Sequence, residues 1–376
     1  MANFQIGFAE MEIGSIILSD NKLSNFIPPR LFHSLSLSVL SLSRKNFSGQ
    51  LPENIGDATE IMILMLAGNN LSGPIPVSIS KIYRLLLLGL SQNRFSGNTF
   101  PVFSPLLAFI DFSANEFSGV IPETFSEETR ILSLGNNKFS GPLPRNRTRL
   151  SKLQHLDLHD NKITGEVPTF LSEIPTLQVL NLRNNSLKDM GNLLGMIETP
   201  VTYSSISDMF TFSIEFKDLL VNWKKSIQGL SSRSLEIYSL LDLSRNQLLG
   251  EIPASLGTIP QTLTKLQELT TLDVSNNELI GKIPVGGQMD TMNDPNYYAN
   301  NSGLCGMQIQ VQCPEKPPSE EPQEDESEEE SWFSWEGAAI GFPLGLFLSK
   351  AIICLTGYLV PAKQPNHLSF RRRRRV

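Results

Sequence analysis

Cysteine is scarce in this chain, three in 376 residues, which excludes a scaffold held together mainly by disulfides. Histidine is nearly as rare, at His33, His155, His159 and His367. There is no phosphate-binding Gly-rich loop, no Gly-x-Ser-x-Gly nucleophile elbow and no kinase signature. An enzyme is therefore not expected, and no cofactor is implied. Charged residues make up only 18% of the chain and form no basic stripe of the kind nucleic acid requires. Long apolar runs are lacking too, with one exception from Ala338 to Val360.

What the chain does have is a repeat. The stretch Leu64-Met65-Leu66-Ala67-Gly68-Asn69-Asn70-Leu71-Ser72-Gly73-Pro74-Ile75-Pro76 recurs as LxLxxNxLSGxIP. Aligned on its asparagine, the copies fall at Asn21, Asn69, Asn93, Asn115, Asn137, Asn161, Asn185, Asn246 and Asn277. Most spacings are 24 residues and two are 22. A further copy carries Lys45 in place of the asparagine.

The unit explains itself physically. Leucines two apart, such as Leu156 and Leu158, share one face of a short strand. A lone strand cannot bury that face, so successive copies stack in parallel around a common core. The asparagine falls where the chain leaves the strand, and its amide donates and accepts, so it serves the backbone groups freed there. Lys45 has no acceptor, which predicts a looser turn. In the tail that follows, Gly admits positive φ and Pro fixes an extended return.

This pattern resembles the plant-specific class of leucine-rich repeats. The resemblance implies a leucine-rich-repeat solenoid, mainly β within the α/β class. Its form would be a right-handed arc with a parallel inner sheet and irregular or 3₁₀ segments outside. Repeats are assigned to 1–187 and 236–287. Between them Asn185 and Asn246 stand 61 residues apart, more than two periods. Phe210 to Phe216 alternates as a strand does, and Trp223-Lys224-Lys225 follows. One or two decayed repeats would account for this. An inserted island over 188–235 is the preferred reading, because its place matches the insertion of plant receptor-like proteins. Asn246 and Asn277 are 31 apart, which predicts a kink or bulge where a repeat was lost across a short duplication.

The ends carry further signals. Cys305 and Cys313, eight apart, form either a disulfide or half of a metal site. No other Cys or His lies nearby, so the disulfide is favoured, and with it an oxidising compartment. Residues 288–314, including Asn296 to Gly306, resemble the C-terminal cap of plant receptor-like proteins. Met1 leads directly into Ile13 to Asn21, with neither signal peptide nor cysteine cap in view. The family normally has both, so the expectation is a membrane-proximal portion whose first apolar layer is exposed.

Residues 315–336 form an acidic linker: ten acids and one lysine give it a local charge of −9. Residues 337–360 are read as a transmembrane helix, since about 20 apolar residues span a bilayer. Lys350 near the middle costs roughly 2.5–3.5 kcal/mol without reversing that reading. The tail, 361–376, holds Lys363 and Arg371 to Arg375, and no Lys or Arg occurs in the 17 residues before the span. By the positive-inside rule the chain is a single-pass type I protein of the plasma membrane, repeats outside. Gly337, Gly341 and Gly345 lie four apart on one helical face, a surface for association with another helix.

Ligand recognition is assigned to the variable inner-face positions: apolar Ile63, Met65, Leu87 and Phe109, then polar Asp111, His155, Asp157, His159, Asn181 and Arg183. A metal site at His155, Asp157, His159 and Asp160 is disfavoured, because Asp recurs at the matching place in Asp111, Asp242 and Asp273. Asn46, Asn70, Asn146, Asn184 and Asn300 open Asn-x-Ser/Thr sequons and mark a glycoprotein. From repeats to tail the chain is similar to plant leucine-rich-repeat receptor-like proteins, which lack a kinase. The resemblance implies an extracellular peptide or protein ligand, a partner receptor kinase met through the transmembrane helix, and a role in plant defence. The alternatives are a developmental co-receptor, a soluble inhibitor of microbial wall-degrading enzymes, and a truncated receptor without function.

Overall fold

The computed structural model describes residues 13–19, 24–123, 125–144, 150–174, 176–190, 220–223, 226–229, 239–252 and 269–314. They form a parallel β-solenoid of stacked leucine-rich turns. Ten strands make the inner sheet in strict chain order. They are Ser15–Ile17, Val39–Ser41, Ile63–Met65, Leu87–Gly89, Phe109–Asp111, Ile131–Ser133, His155–Asp157, Val179–Asn181, Ser239–Asp242 and Leu269–Asp273. Register follows the repeat, so that Leu64 pairs with Leu88 and Leu88 with Ile110. Leu64, Leu66, Leu88, Leu90, Leu132 and Leu134 are buried in one continuous core.

The asparagines do more than tidy their own turns. Asn93 Nδ2 donates to Leu90 O and Ser91 O in its own turn, and to Leu66 O of the turn before at 3.0 Å. Its Oδ1 accepts from Leu71 N, also of the preceding turn, at 3.0 Å. Asn69, Asn115, Asn137, Asn161, Asn185, Asn246 and Asn277 repeat the arrangement. Each therefore ties two turns together through backbone groups that would otherwise be buried without partners. The residue before each asparagine adopts the left-handed region, as at Gln92 (φ 54°) and Asn184 (φ 54°).

Lys45 does not loosen its turn. Arg44 takes φ 53°, like its counterparts, and its N–H reaches Ala67 O at 2.7 Å. The asparagine turns make the same backbone bond, as from Gln92 N to Ser113 O, so the bond is common to turns with and without the asparagine.

A second correction concerns the Asn-x-Leu-Ser-Gly segment, read above only as an exit from the strand. It forms a sheet of its own. Eight strands, from Ser24–Asn25 through Asn70–Gly73 to Ser186–Asp189, stack in parallel beside the inner sheet, and Leu249–Glu251, Glu278–Lys282 and Gly303–Cys305 make a shorter stack of three. The glycines end these strands with positive φ, 80° at Gly73 and 84° at Gly281. Short 3₁₀ helices such as Val77–Lys81 and Thr169–Glu173 follow the prolines on the outer side.

Aromatic packing fills the middle of the core. Phe95 stacks on Phe117 at 6.3 Å, Phe117 on Phe139 at 6.4 Å, and Phe100 lies 5.2 Å from Phe117.

No inner strand separates Val179–Asn181 from Ser239–Asp242; the two pair directly. Asn246 donates to Leu182 O and accepts from Leu187 N, so the asparagine series crosses the interruption unbroken. Within the interruption Leu220–Trp223 and Ser226–Gly229 form an antiparallel pair. The strand expected over Phe210 to Phe216 lies outside the described residues. The segment where a kink or bulge is expected lies almost wholly outside the described residues; the strands of the two turns that flank it show a register shift, Ser239 pairing with Leu269 but Leu240 with Thr271.

At the C-terminal end the asparagine series has one more member than the sequence reading counted. Asn301 donates to Val274 O and Tyr298 O and accepts from Leu279 N. Cys305 and Cys313 are joined by a disulfide. At the other end the first apolar layer is not stripped. Ile16, Ile27, Leu31 and Phe32 are buried, while Ile17, Phe26 and Leu35 are exposed. The linker, the apolar run with Gly337, Gly341 and Gly345, and the basic tail lie outside the described residues. Among the described residues no helix is long and apolar enough to cross a membrane.

Candidate functional site

Strand alternation places one set of side chains in the core and the other on the inner face. With Leu156 and Leu158 in the core, His155 and Asp157 face inward. Parallel register then sorts the inner face into columns. The first runs Val39, Ile63, Leu87, Phe109, Ile131, His155 and Val179. The second runs Met65, Gly89, Asp111, Ser133, Asp157, Asn181 and Asp242.

The apolar candidates Ile63, Met65, Leu87 and Phe109 do come together, but not as a displayed surface. With Val39 and Ile131, which the sequence reading missed, they pack into one buried strip. Neighbouring strands are only about 4.8 Å apart, so large side chains in one column cover each other. The repetition of apolar residues down that column was the available signal. Asp111, His155, Asp157 and Asn181 are buried as well. Of the ten candidates, only His159 and Arg183 keep part of their surface accessible.

The recurring acidic residue has a local task. Asp111 Oδ1 accepts from Ser113 N at 3.0 Å and Ser113 Oγ at 2.6 Å. Asp242 does the same with Ser244, and Asp273 accepts from Ser275 N. Asp157 accepts from His159 N at 3.1 Å and meets His159 Nδ1 at 2.6 Å. Asn181 Oδ1 accepts from Arg183 N at 3.2 Å. Each side chain thus satisfies the N–H two residues on, where the strand ends. No group of three His, Cys, Asp or Glu able to hold a metal occurs among the described residues.

Burial dominates the electrostatics. It pushes Asp111 and Asp242 up to about 6 and holds His155 below the ordinary histidine value. In His159 burial pulls down, but the Asp157 hydrogen bond and the charges of Asp157 and Asp160 outweigh it, and the net shift is upward. Both ring nitrogens of His155 and the Nδ2 of Asn181 are buried and have no hydrogen-bond partner.

The sequon asparagines Asn46, Asn70, Asn184 and Asn300 are exposed. Asn184 Nδ2 donates to Asp160 at 2.6 Å and Asn300 Nδ2 to Asn276 at 2.8 Å. Asn146 lies outside the described residues.

The Leucine Rich Repeat family model matches residues 152–174, 239–259 and 268–287. Receptor-like protein 46 of Arabidopsis thaliana is 42% identical over 42% of this chain and 27% of its own length. The chain carries leucine-rich repeats and is similar to plant leucine-rich-repeat receptor-like proteins. Among solved structures the chain is similar to the Arabidopsis receptor kinase HAESA, in complex with the peptide hormone IDA and the co-receptor SERK1. The TM-score is 0.58 at 30% identity, over 78% of this chain and 42% of that one. It is also similar to the plant peptide hormone receptor RGFR1 in complex with RGF2, with TM-score 0.55 at 27% identity, over 78% and 44% of the two chains. The chain thus spans less than half the length of each of these relatives.

Proposed function

We propose that the chain is a cell-surface receptor that binds an extracellular peptide or protein ligand along the inner face and signals through a partner receptor kinase, in plant defence. The observation that carries this is on the inner face, where the partly accessible Met62 and Leu86 beside the buried apolar strip are followed along the sheet by the partly accessible polar Gln154, His159 and Arg183. Such a gradient suits an extended ligand that anchors an apolar side chain at one end and bonds through polar groups at the other. Likeness to hormone-bound ectodomains supports the same reading.

In this proposal the apolar run 337–360 anchors the chain with its repeats outside, and 188–235 is an island inserted between neighbouring turns. Gly337, Gly341 and Gly345 let the helix of the kinase partner approach. Glycans at the exposed sequons fit an extracellular solenoid. The test is affinity purification of the tagged chain from plant membranes. A receptor kinase should co-purify with the wild type and be lost from Gly341→Leu. A chain that partitions as a soluble protein, or that brings down no kinase, defeats the proposal.

A further inference from the structure

We infer that the antiparallel pair Leu220–Trp223 and Ser226–Gly229 docks by strand addition on an open edge of the second sheet, at Leu249–Glu251. This goes beyond the receptor reading and needs no ligand.

The edge is visible first as a break in the stack. From Ser24–Asn25 to Ser186–Asp189 each strand of the second sheet pairs with the next, but Ser186–Asp189 and Leu249–Glu251 do not pair. One bond, from Gln247 N to Leu187 O, joins the two turns there, while Leu248 O accepts from Glu278 N on the opposite side. Backbone groups alternate sides along a strand, so those of Leu249 and Glu251 point into the gap. All three residues of the strand are exposed.

Gly250 marks the same vacancy. At the matching glycines a residue of the preceding turn stands against the place of a Cβ: Gln50 at 2.9 Å from Gly73, Asn98 at 3.0 Å from Gly119, Glu251 at 2.9 Å from Gly281. Among the described residues nothing lies within 4 Å of that place on Gly250.

The side chains change there too. Three residues after the turn asparagine stand Ser72, Ser96, Ser118, Ser140 and Thr164. The same position holds Leu249 and Ile280, 54% and 52% exposed. Leu249 is in register with Glu278 and Glu251 with Ile280, so the two apolar side chains are diagonal neighbours beside the gap. An open edge with apolar side chains is a template for another strand.

The chain itself supplies that strand. Among the described residues Leu220–Trp223 and Ser226–Gly229 pair only with each other. A lone hairpin is at best marginally stable until a further strand or a packed face joins it. This one belongs to the stretch that leaves the solenoid beyond Ser186–Asp189, beside the gap, and re-enters at Ser239–Asp242, in the turn that carries Leu249. Ten residues separate Gly229 from Ser239, a tether that reaches up to about 33 Å. Tethering gives the hairpin a high effective concentration at the edge, which no free partner has.

The test is hydrogen exchange on the full chain in detergent micelles. Wild type is compared with a variant whose residues 220–229 are replaced by Gly and Ser at equal length, and with Leu249→Ser plus Ile280→Ser. Serine is what earlier turns carry, so the solenoid tolerates the double change. Relative to wild type, the amides of Leu249 and Glu251 should exchange roughly tenfold faster or more in the replacement variant. Those of 220–229 should lose protection to a similar degree in the serine variant. If the replacement variant does not fold, the serine variant alone decides. A fast-exchanging edge in the wild type overturns the docking. So does an edge that stays protected without the hairpin, since another segment, a second copy or detergent then covers it. Neither result touches the receptor reading, which stands or falls on the kinase purification.

Discussion

His159 occupies the space that a side chain on Gly135 would need: a Cβ added to Gly135 would stand 2.2 Å from His159 Nδ1. The two residues sit in neighbouring turns at the same place in the repeat. Gly135→Ala must therefore push the imidazole off Asp157, to which it is bonded at 2.6 Å. Overpacking of this kind costs about 1–3 kcal/mol. Chemical denaturation should show that loss, and the double change Gly135→Ala with His159→Ala should recover most of it. Additive losses in the double variant would mean that the two do not compete for space.

Removing one asparagine of the series should cost more than an ordinary surface change. Asn161 Nδ2 serves Leu134 O, Leu158 O and His159 O, and its Oδ1 serves Phe139 N. Asn161→Ala strands several buried backbone groups at about 1–3 kcal/mol for each one left without water. Hydrogen exchange should show lost protection at Phe139 N first. Unchanged exchange there would show that the bond is dispensable.

Phe117 touches Phe95, Phe100, Phe112 and Phe139, and it is 1% exposed. Phe117→Ala should destabilise the solenoid by about 3–5 kcal/mol, read as a shifted denaturation midpoint. Phe117→Leu should lose less, since the repeat uses Leu at the same place in Leu71 and Leu187.

The raised carboxyl of Asp111 makes a pH prediction. Its folded value of about 6 lies above the ordinary 3.8, so the stability it contributes is complete below 3.8 and is lost as pH rises towards 6. Asp242 acts in the same direction. Asp111→Asn keeps an oxygen for Ser113 but cannot ionise. It should match the wild type near pH 4 and exceed its stability at pH 7, by an amount on the order of 1–3 kcal/mol. Parallel pH profiles for the two proteins would contradict this.

The period, the leucine core and the asparagine turns were legible because each copy spells them out within itself. The second sheet was not. Asn70–Gly73 has Ser and Gly where a strand usually has neither, and its pairing partner lies in another copy. Asn301 falls 24 residues after Asn277, yet the nearby cysteines drew the reading towards a cap instead of a further turn. Exposure was the weakest part of the site reading, because a column's self-packing depends on its neighbours and not on any one residue.

A small apolar gap shows how far the period can be pushed. In four turns the third residue after the proline plugs the core: Ile55, Ile79, Phe125 and Leu171. A gap of about 30 Å³ lies beside two of these plugs, among Phe125, Leu143, Leu156, Phe170 and Leu171.

The splice at Asn246 has a wider consequence. Its amide clasps Leu182 and Leu187 as though the intervening stretch of chain were absent. A spine built from such clasps is blind to how much polypeptide loops out between two rungs, provided the next rung arrives in phase. Such a scaffold can lengthen, shorten or acquire an appendage by recombination at turn boundaries without redesigning its interior, so that new binding surfaces become a matter of insertion more than of repacking.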